Sequence, residues 1–250
     1  MLWFIGIGLS DETGLTLKSL EIIKKCDIVY LENYTNAINF DIKNLEKLVN
    51  KKIILASRDL VESNEDIINN SENKHVAFLV IGDVFSATTH IDLFLRAKEK
   101  KIKTSTIHNA SIFSVISETG LSSYKFGKTC SIPFPEKAFE PESFYDVIKE
   151  NKSINAHTLV LLDLKPEEKK FLTIQEAIKI LLDIEKKRKE DVFTEHTLCI
   201  GCARLGSDDK KIKIGRAEEL LKQNFGKPPF CLVVPAKLHF VEEESLKSLQ

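Results

Sequence analysis

VAFLVIGDVFSATTH, residues 76–90, is the stretch on which the reading of this chain turns. An apolar run of strand length stops at Gly82-Asp83, and a loop of small polar residues opens toward an amphipathic stretch over 90–100. A run that is apolar at every position, rather than at alternate ones, fits a strand buried on both faces of a parallel sheet. The pattern returns one unit later. A strand-like segment over 103–107 runs into TIHNASI (106–112), and helical spacing follows over 110–118. Open parallel sheets hold ligands at the carboxyl ends of their strands, so the two strand ends mark one candidate pocket.

Upstream, the same alternation predicts strands at 2–7, 27–31 and 52–55 and helices at 15–25, 41–49 and 59–69, with the Asn-rich Asn69–Lys74 as an exposed turn. Strand and helix in alternation indicate a parallel sheet with helices on its faces. After Gly120 the texture changes, with Pro133, Pro135 and Pro141 close together. Strands are expected at 128–132, 158–163, 197–203, 211–214 and 230–235, and helices at 142–150 and 174–189. The fold class is therefore α/β in two domains: residues 1–120 as an N-terminal domain with a mostly parallel sheet, and 121–250 as a C-terminal mixed α/β domain.

Composition excludes several classes. The 250 residues are 43% hydrophobic and 29% charged, with a formal net charge of −1. That balance gives no electrostatic reason to bind nucleic acid or an anionic membrane. No apolar run approaches the roughly 20 residues of a spanning helix, and MLWFIGIGL lacks the basic flank of a signal peptide; a cytoplasmic protein is expected. Five cysteines, most inside apolar runs, read as buried free thiols. Cys199 and Cys202 form a CxxC, but on a strand residues three apart face opposite sides, which suits neither a metal nor a redox pair.

Gly6-Ile7-Gly8 ends the first strand, yet a dinucleotide fingerprint would need glycine at position 11, which is Asp11. These glycines serve a tight turn or a close approach instead. Asp83 is a carboxylate at the end of a buried strand, costly there without a partner. It is placed to accept hydrogen bonds from a ligand or to cap a helix beginning near Ala87, beside Ser86, Thr88 and Thr89. His108-Asn109-Ala110-Ser111 adds polar groups at the neighbouring strand end. A ligand bridging both loops would be held by backbone and short polar side chains, which suits an adenosine-plus-amino-acid molecule such as S-adenosylmethionine. His90 and His108 have no partner at metal-ligand spacing, so no metal site is assigned, and no residue is singled out as a general base. Lys125 and Arg204 are the basic residues considered for binding a substrate carboxylate.

Taken together, GIGL (6–9), LENYT (31–35), GDVFSATTH (82–90), HNASI (108–112), YKFG (124–127), PESF (141–144), HTLVLLDL (157–164), CARLGS (202–207) and VVPAKLHFVE (233–242) resemble the diphthine synthase family of the tetrapyrrole-methylase (class III) superfamily. The resemblance implies two α/β domains with the cofactor in the cleft between them, and a homodimer. It implies an S-adenosylmethionine-dependent methyltransferase acting on the amino group of a 3-amino-3-carboxypropyl histidine of translation elongation factor 2, giving diphthine in diphthamide biosynthesis. The cofactor contacts it implies are Leu9, Asp83, Ser86, Ser111, Ile112, Leu162, Leu205 and Phe230. The family's usual His is replaced by Phe230, which can only pack, and Val84 replaces the usual Pro after Gly-Asp. A methylase of porphyrin-like substrates and a non-catalytic sensor of adenosyl ligands are the competing readings.

Overall fold

The computed structural model describes residues 1–136 and 140–249; residues 137–139 and Gln250, which belong to the expected C-terminal domain, lie outside the described residues. The chain forms two compact units. The first comprises Met1–Val115 with Pro166–Glu168 and Gly206–Asp208, and the second the remainder; the sequence places the division near 120.

The first unit runs β1 (Leu2–Gly6), α1 (Leu17–Lys25), β2 (Ile28–Glu32), α2 (Ile42–Val49), β3 (Ile53–Ala56), α3 (Arg58–Glu62), α4 (Asp66–Asn73), β4 (Val76–Val80), α5 (Ile91–Glu99), β5 (Thr104–Ile107) and α6 (Ile112–Val115). Its sheet has the order β3-β2-β4-β1-β5, with every pairing parallel. All five residues of β4 are buried. Val76, Phe78 and Val80 enter the apolar cluster on one face, and Ala77 and Leu79 the cluster on the other. That two-sided burial is why the run is apolar without alternation.

The helix expected over 59–69 is two helices. Asn64 accepts a hydrogen bond from the Asp66 N–H at 2.7 Å, a local bond that competes with helix continuation. Arg96 caps the break by donating to the carbonyls of Val61 and Asn64. The Asn-rich stretch is mostly exposed, as expected, but to Asn73 it is the end of α4 rather than a turn, with Ser71 buried and the Asn70 amide donating to the Tyr30 hydroxyl at 3.1 Å.

The second unit contains β6 (Cys130–Ile132), α7 (Ser143–Ser153), β7 (Thr158–Leu162), a small hairpin of β8 (Leu164–Lys165) and β9 (Lys170–Phe171), α8 (Ile174–Arg188), β10 (Leu198–Ala203), β11 (Lys211–Arg216), α9 (Ala217–Leu220), β12 (Phe230–Val234) and α10 (Phe240–Ser248). The sheet order is β11-β10-β12-β7-β6; only β6 and β7 pair parallel, the other neighbours antiparallel. Its core packs α7 and α8 residues such as Tyr145, Ile148, Ile178 and Leu181 against sheet residues Val160, Cys199 and Leu232. All five cysteines are free and buried. Among the described residues no helix is long and apolar enough to cross a membrane.

Candidate active site

The strand order locates the site before any side chain is considered. After β1 the chain crosses to β2 on one side, and after β4 to β5 on the other, while β1 and β4 are neighbours. Loops that leave adjacent strands in opposite directions open a crevice at the carboxyl ends, the usual ligand position of such sheets. Here the two loops are stitched together: Gly8 N–H donates to the Gly82 carbonyl at 3.2 Å and Gly82 N–H to the Gly8 carbonyl at 2.8 Å. Gly82 has φ +83°, and a Cβ on Gly6 would stand 2.6 Å from the Gly82 carbonyl oxygen. The glycines are thus required by the approach of one loop to the other.

Asp83 organises what surrounds the crevice. Its Oδ2 accepts from His108 Nδ1 at 2.8 Å and from Asn109 N–H at 3.1 Å. Its Oδ1 accepts from Phe85 N–H and the Ser86 hydroxyl, each at 3.2 Å. Burial opposes ionisation, but the bonds from Asn109, His108 and Phe85 outweigh it and hold the carboxyl below the usual carboxylate range. The four acceptor positions of a carboxylate, roughly all it has, are filled by the chain itself. Asp83 does not cap α5: that helix begins at Ile91, not near Ala87, because Ala87 is left-handed at φ 57°. Thr88 instead donates to the Val84 carbonyl at 2.7 Å and Thr89 to Glu62 at 2.8 Å.

Asn109 ties the third loop to the first. Its amide nitrogen donates to the carbonyls of Gly6 at 3.1 Å and Gly14 at 3.0 Å. Of the expected contact residues, Asp83 and Ser111 are buried and Leu9, Ser86 and Ile112 half-buried at these strand ends. Hydroxyls and backbone groups flanked by Leu9 and Ile112 fit an amphiphilic ligand. Leu162, Leu205 and Phe230 belong to the second unit. There, Leu162 ends β7, Phe230 begins β12, and Phe230 faces Ala203 at the end of β10. With Cys231 opposite Leu161, the three positions gather at one end of that sheet.

The remaining polar residues singled out in the sequence are engaged elsewhere. His90 is fully buried, with Nδ1 3.1 Å from the Val84 carbonyl, and stacks edge-on against Phe78 and Tyr34. Arg204 donates to Asp209 at 2.6 Å. Lys125 pairs with Glu242 at 3.0 Å and also donates to the Lys237 carbonyl. Sequence reasoning missed the pairing of His108 with Asp83. The two lie 25 residues apart, and only the parallel order, with β1 between β4 and β5, brings their loops together.

The family model of the tetrapyrrole (corrin/porphyrin) methylases matches residues 1–221. The chain belongs to that methylase family. Within it, the similar proteins are diphthine synthases. A diphthine synthase of Methanosarcina mazei is 46% identical, covering 100% of this chain and 96% of the relative. A probable diphthine methyl ester synthase of Arabidopsis thaliana is 42% identical, covering 99% and 97%. The crystal structure of a putative diphthine synthase from Entamoeba histolytica superposes with a TM-score of 0.93 at 40% identity, covering 100% and 98%. Family and relatives make this tetrapyrrole-methylase chain a methyltransferase, with the expected α/β fold.

Proposed function

We propose that this methyltransferase uses S-adenosylmethionine to methylate the amino group of the 3-amino-3-carboxypropyl histidine of translation elongation factor 2, giving diphthine. The observation that carries the reading is the stitched crevice between the β1 and β4 loops, set in a chain that matches diphthine synthases from end to end. The proposed cofactor contacts are Leu9, Ser86, Ser111 and Ile112 of the first unit, with Leu162, Leu205 and Phe230 of the second, and Asp83 lines the same strand ends with its carboxylate taken up by the chain itself. Bound there, the sulfonium supplies a methyl group that is already activated. The chain's own task is to hold a free amine in line with it, and such positioning is worth of order 7–11 kcal/mol at best.

Asp83 serves binding by fixing the β4 and β5 loops to each other. Its oxygens hold the starts of the segments at 85–86 and 108–109, so the backbone groups and hydroxyls stand ready without reorganisation on binding. Phe230, where the family's usual His is absent, contributes apolar packing alone. We further propose a cytoplasmic homodimer with elongation factor 2 as its protein substrate. The test is incubation with labelled S-adenosylmethionine and elongation factor 2 carrying the unmethylated intermediate, read by mass spectrometry of the modified histidine. Label on that amine supports the proposal, and the mass gain separates diphthine from its methyl ester. Label on a tetrapyrrole but not on the factor would replace it with the porphyrin reading, and binding without transfer to either would favour a sensor.

A further inference from the structure

We infer that His108 is the proton acceptor for methyl transfer to nitrogen, and that Asp83 is the positioning residue that makes it one. The inference rests on the amine-methylating function proposed above. An amine bound as ammonium has no lone pair to attack with, so each transfer to nitrogen needs one proton removed first. Histidine is the side chain best suited to that exchange near neutral pH.

Of the six histidines, His75 precedes β4 at the opposite end of that strand, and His196 and His239 lie in the second unit. His90 is sealed in the core. His157 is also fully buried, and both of its ring nitrogens are engaged, by Glu242 and by the Ala236 N–H. His108 stands at the carboxyl end of β5, with its side chain 69% exposed, while its Nδ1 lies 2.8 Å from the buried Asp83. Asp83 is the charged group that faces the ring, and opposite an ionised carboxylate the ring proton belongs on Nδ1. Nε2 then carries the lone pair and points away from the carboxylate, at the strand ends that border the crevice. This is the division of labour by which a buried aspartate fixes the tautomer and orientation of a catalytic histidine.

The step balances as follows. Nε2 takes a proton from the substrate ammonium, the freed nitrogen lone pair forms the N–C bond, the C–S bond breaks, and its electron pair stays on sulfur to leave a neutral thioether. The imidazolium, held by Asp83, returns its proton to water before the next transfer.

The test compares wild type with His108→Ala and Asp83→Asn, measuring cofactor affinity by calorimetry and amine methylation across pH. At saturating S-adenosylmethionine, His108→Ala is expected to methylate about 10²–10⁴-fold more slowly near neutral pH, with any loss of cofactor affinity small beside that, because the Asn109 N–H still ties its loop to Asp83. Its rate should recover as pH rises toward the amine's own range, and added imidazole should restore part of it. Asp83→Asn should displace the pH–rate profile, an effect that loss of loop order alone would not produce. An His108→Ala rate within about threefold of wild type, or a rate loss fully explained by weaker cofactor binding, overturns the inference alone. A wild-type protein that never labels the amine overturns the proposed function, and the inference with it.

Discussion

Gly6 takes an ordinary backbone conformation and still has no room for a side chain. A Cβ there would sit 2.6 Å from the Gly82 carbonyl oxygen and 3.1 Å from the Asn109 Cβ, so Gly6→Ala must part the first loop from the other two. Backbone atoms cannot swing aside as a flexible side chain can. The expected result is at least a tenfold loss of S-adenosylmethionine affinity by calorimetry, about 1.4 kcal/mol; unchanged affinity would show that the stitched loops do not form the binding surface. His90 makes a different kind of prediction. Burial pushes its imidazole down to about 4, so the folded protein holds it neutral while the unfolded chain takes up a proton near the ordinary value of about 6.5. Wherever the unfolded state binds more protons, stability falls as pH falls. The contribution is complete above about pH 6.5 and is lost toward pH 4, a swing of order 3 kcal/mol. His90→Phe keeps a ring against Phe78 and Tyr34, and Thr88 still donates to the Val84 carbonyl. Urea unfolding at a series of pH values should show that slope flattened in the variant.

Elements were legible in proportion to how far their burial follows a simple period. The inner strands of the first unit were readable because both faces are covered, and β4 in particular carries no polar residue. Helix α8 was readable for the matching reason: Ile174, Ala177, Ile178, Leu181, Leu182 and Ile184 are all buried on one side. Its start is fixed by a reciprocal cap, in which the Thr173 hydroxyl accepts from Glu176 N–H and Glu176 accepts from Thr173 N–H at 2.8 Å. Thr173→Ala should cost about 0.5–2 kcal/mol of stability, read by denaturant unfolding. Helix α10 was not readable. Its inward residues are Glu242 and Leu246, while Phe240 and Val241 are exposed, so its apolar pattern points the wrong way. The expected single helix over 59–69 failed for another reason, because one Asn side chain and one distant Arg together decide where it breaks. The strand ends of the candidate site were legible as strand ends; the Asp83–His108 pair was not, since it depends on strand order, which spacing does not encode.

At the scale of the whole molecule, two cores are closed by different means, and the contrast can be measured. The first unit is held by apolar packing on both faces of its sheet. The second adds a buried ionic hub on α10. Glu242 Oε1 accepts from His157 at 2.9 Å and Ser122 N–H at 3.0 Å, and Oε2 from Lys125 at 3.0 Å and His239 N–H at 2.8 Å. Burial opposes its ionisation, but the bonds from His239, His157, Ser122 and Lys125 outweigh it and bring the carboxyl down to about 2. A carboxyl lowered on folding stabilises above its unfolded value near 4.5 and loses that contribution as pH falls toward 2. Removing one partner of a buried pair leaves the others uncompensated, at a cost of about 3–5 kcal/mol. Glu242→Ala should therefore unfold its own unit early. The single tryptophan of the chain, Trp3, lies in β1 of the first unit, so its fluorescence follows that unit, whereas circular dichroism follows both. Chains with separate cores need not unfold in one transition. In Glu242→Ala the dichroism midpoint in urea should drop while the Trp3 midpoint stays in place, and as pH falls from about 4.5 toward 2 wild type should come to resemble the variant. Equal shifts of both signals would show that the hub of α10 supports the molecule as a whole rather than the second unit alone.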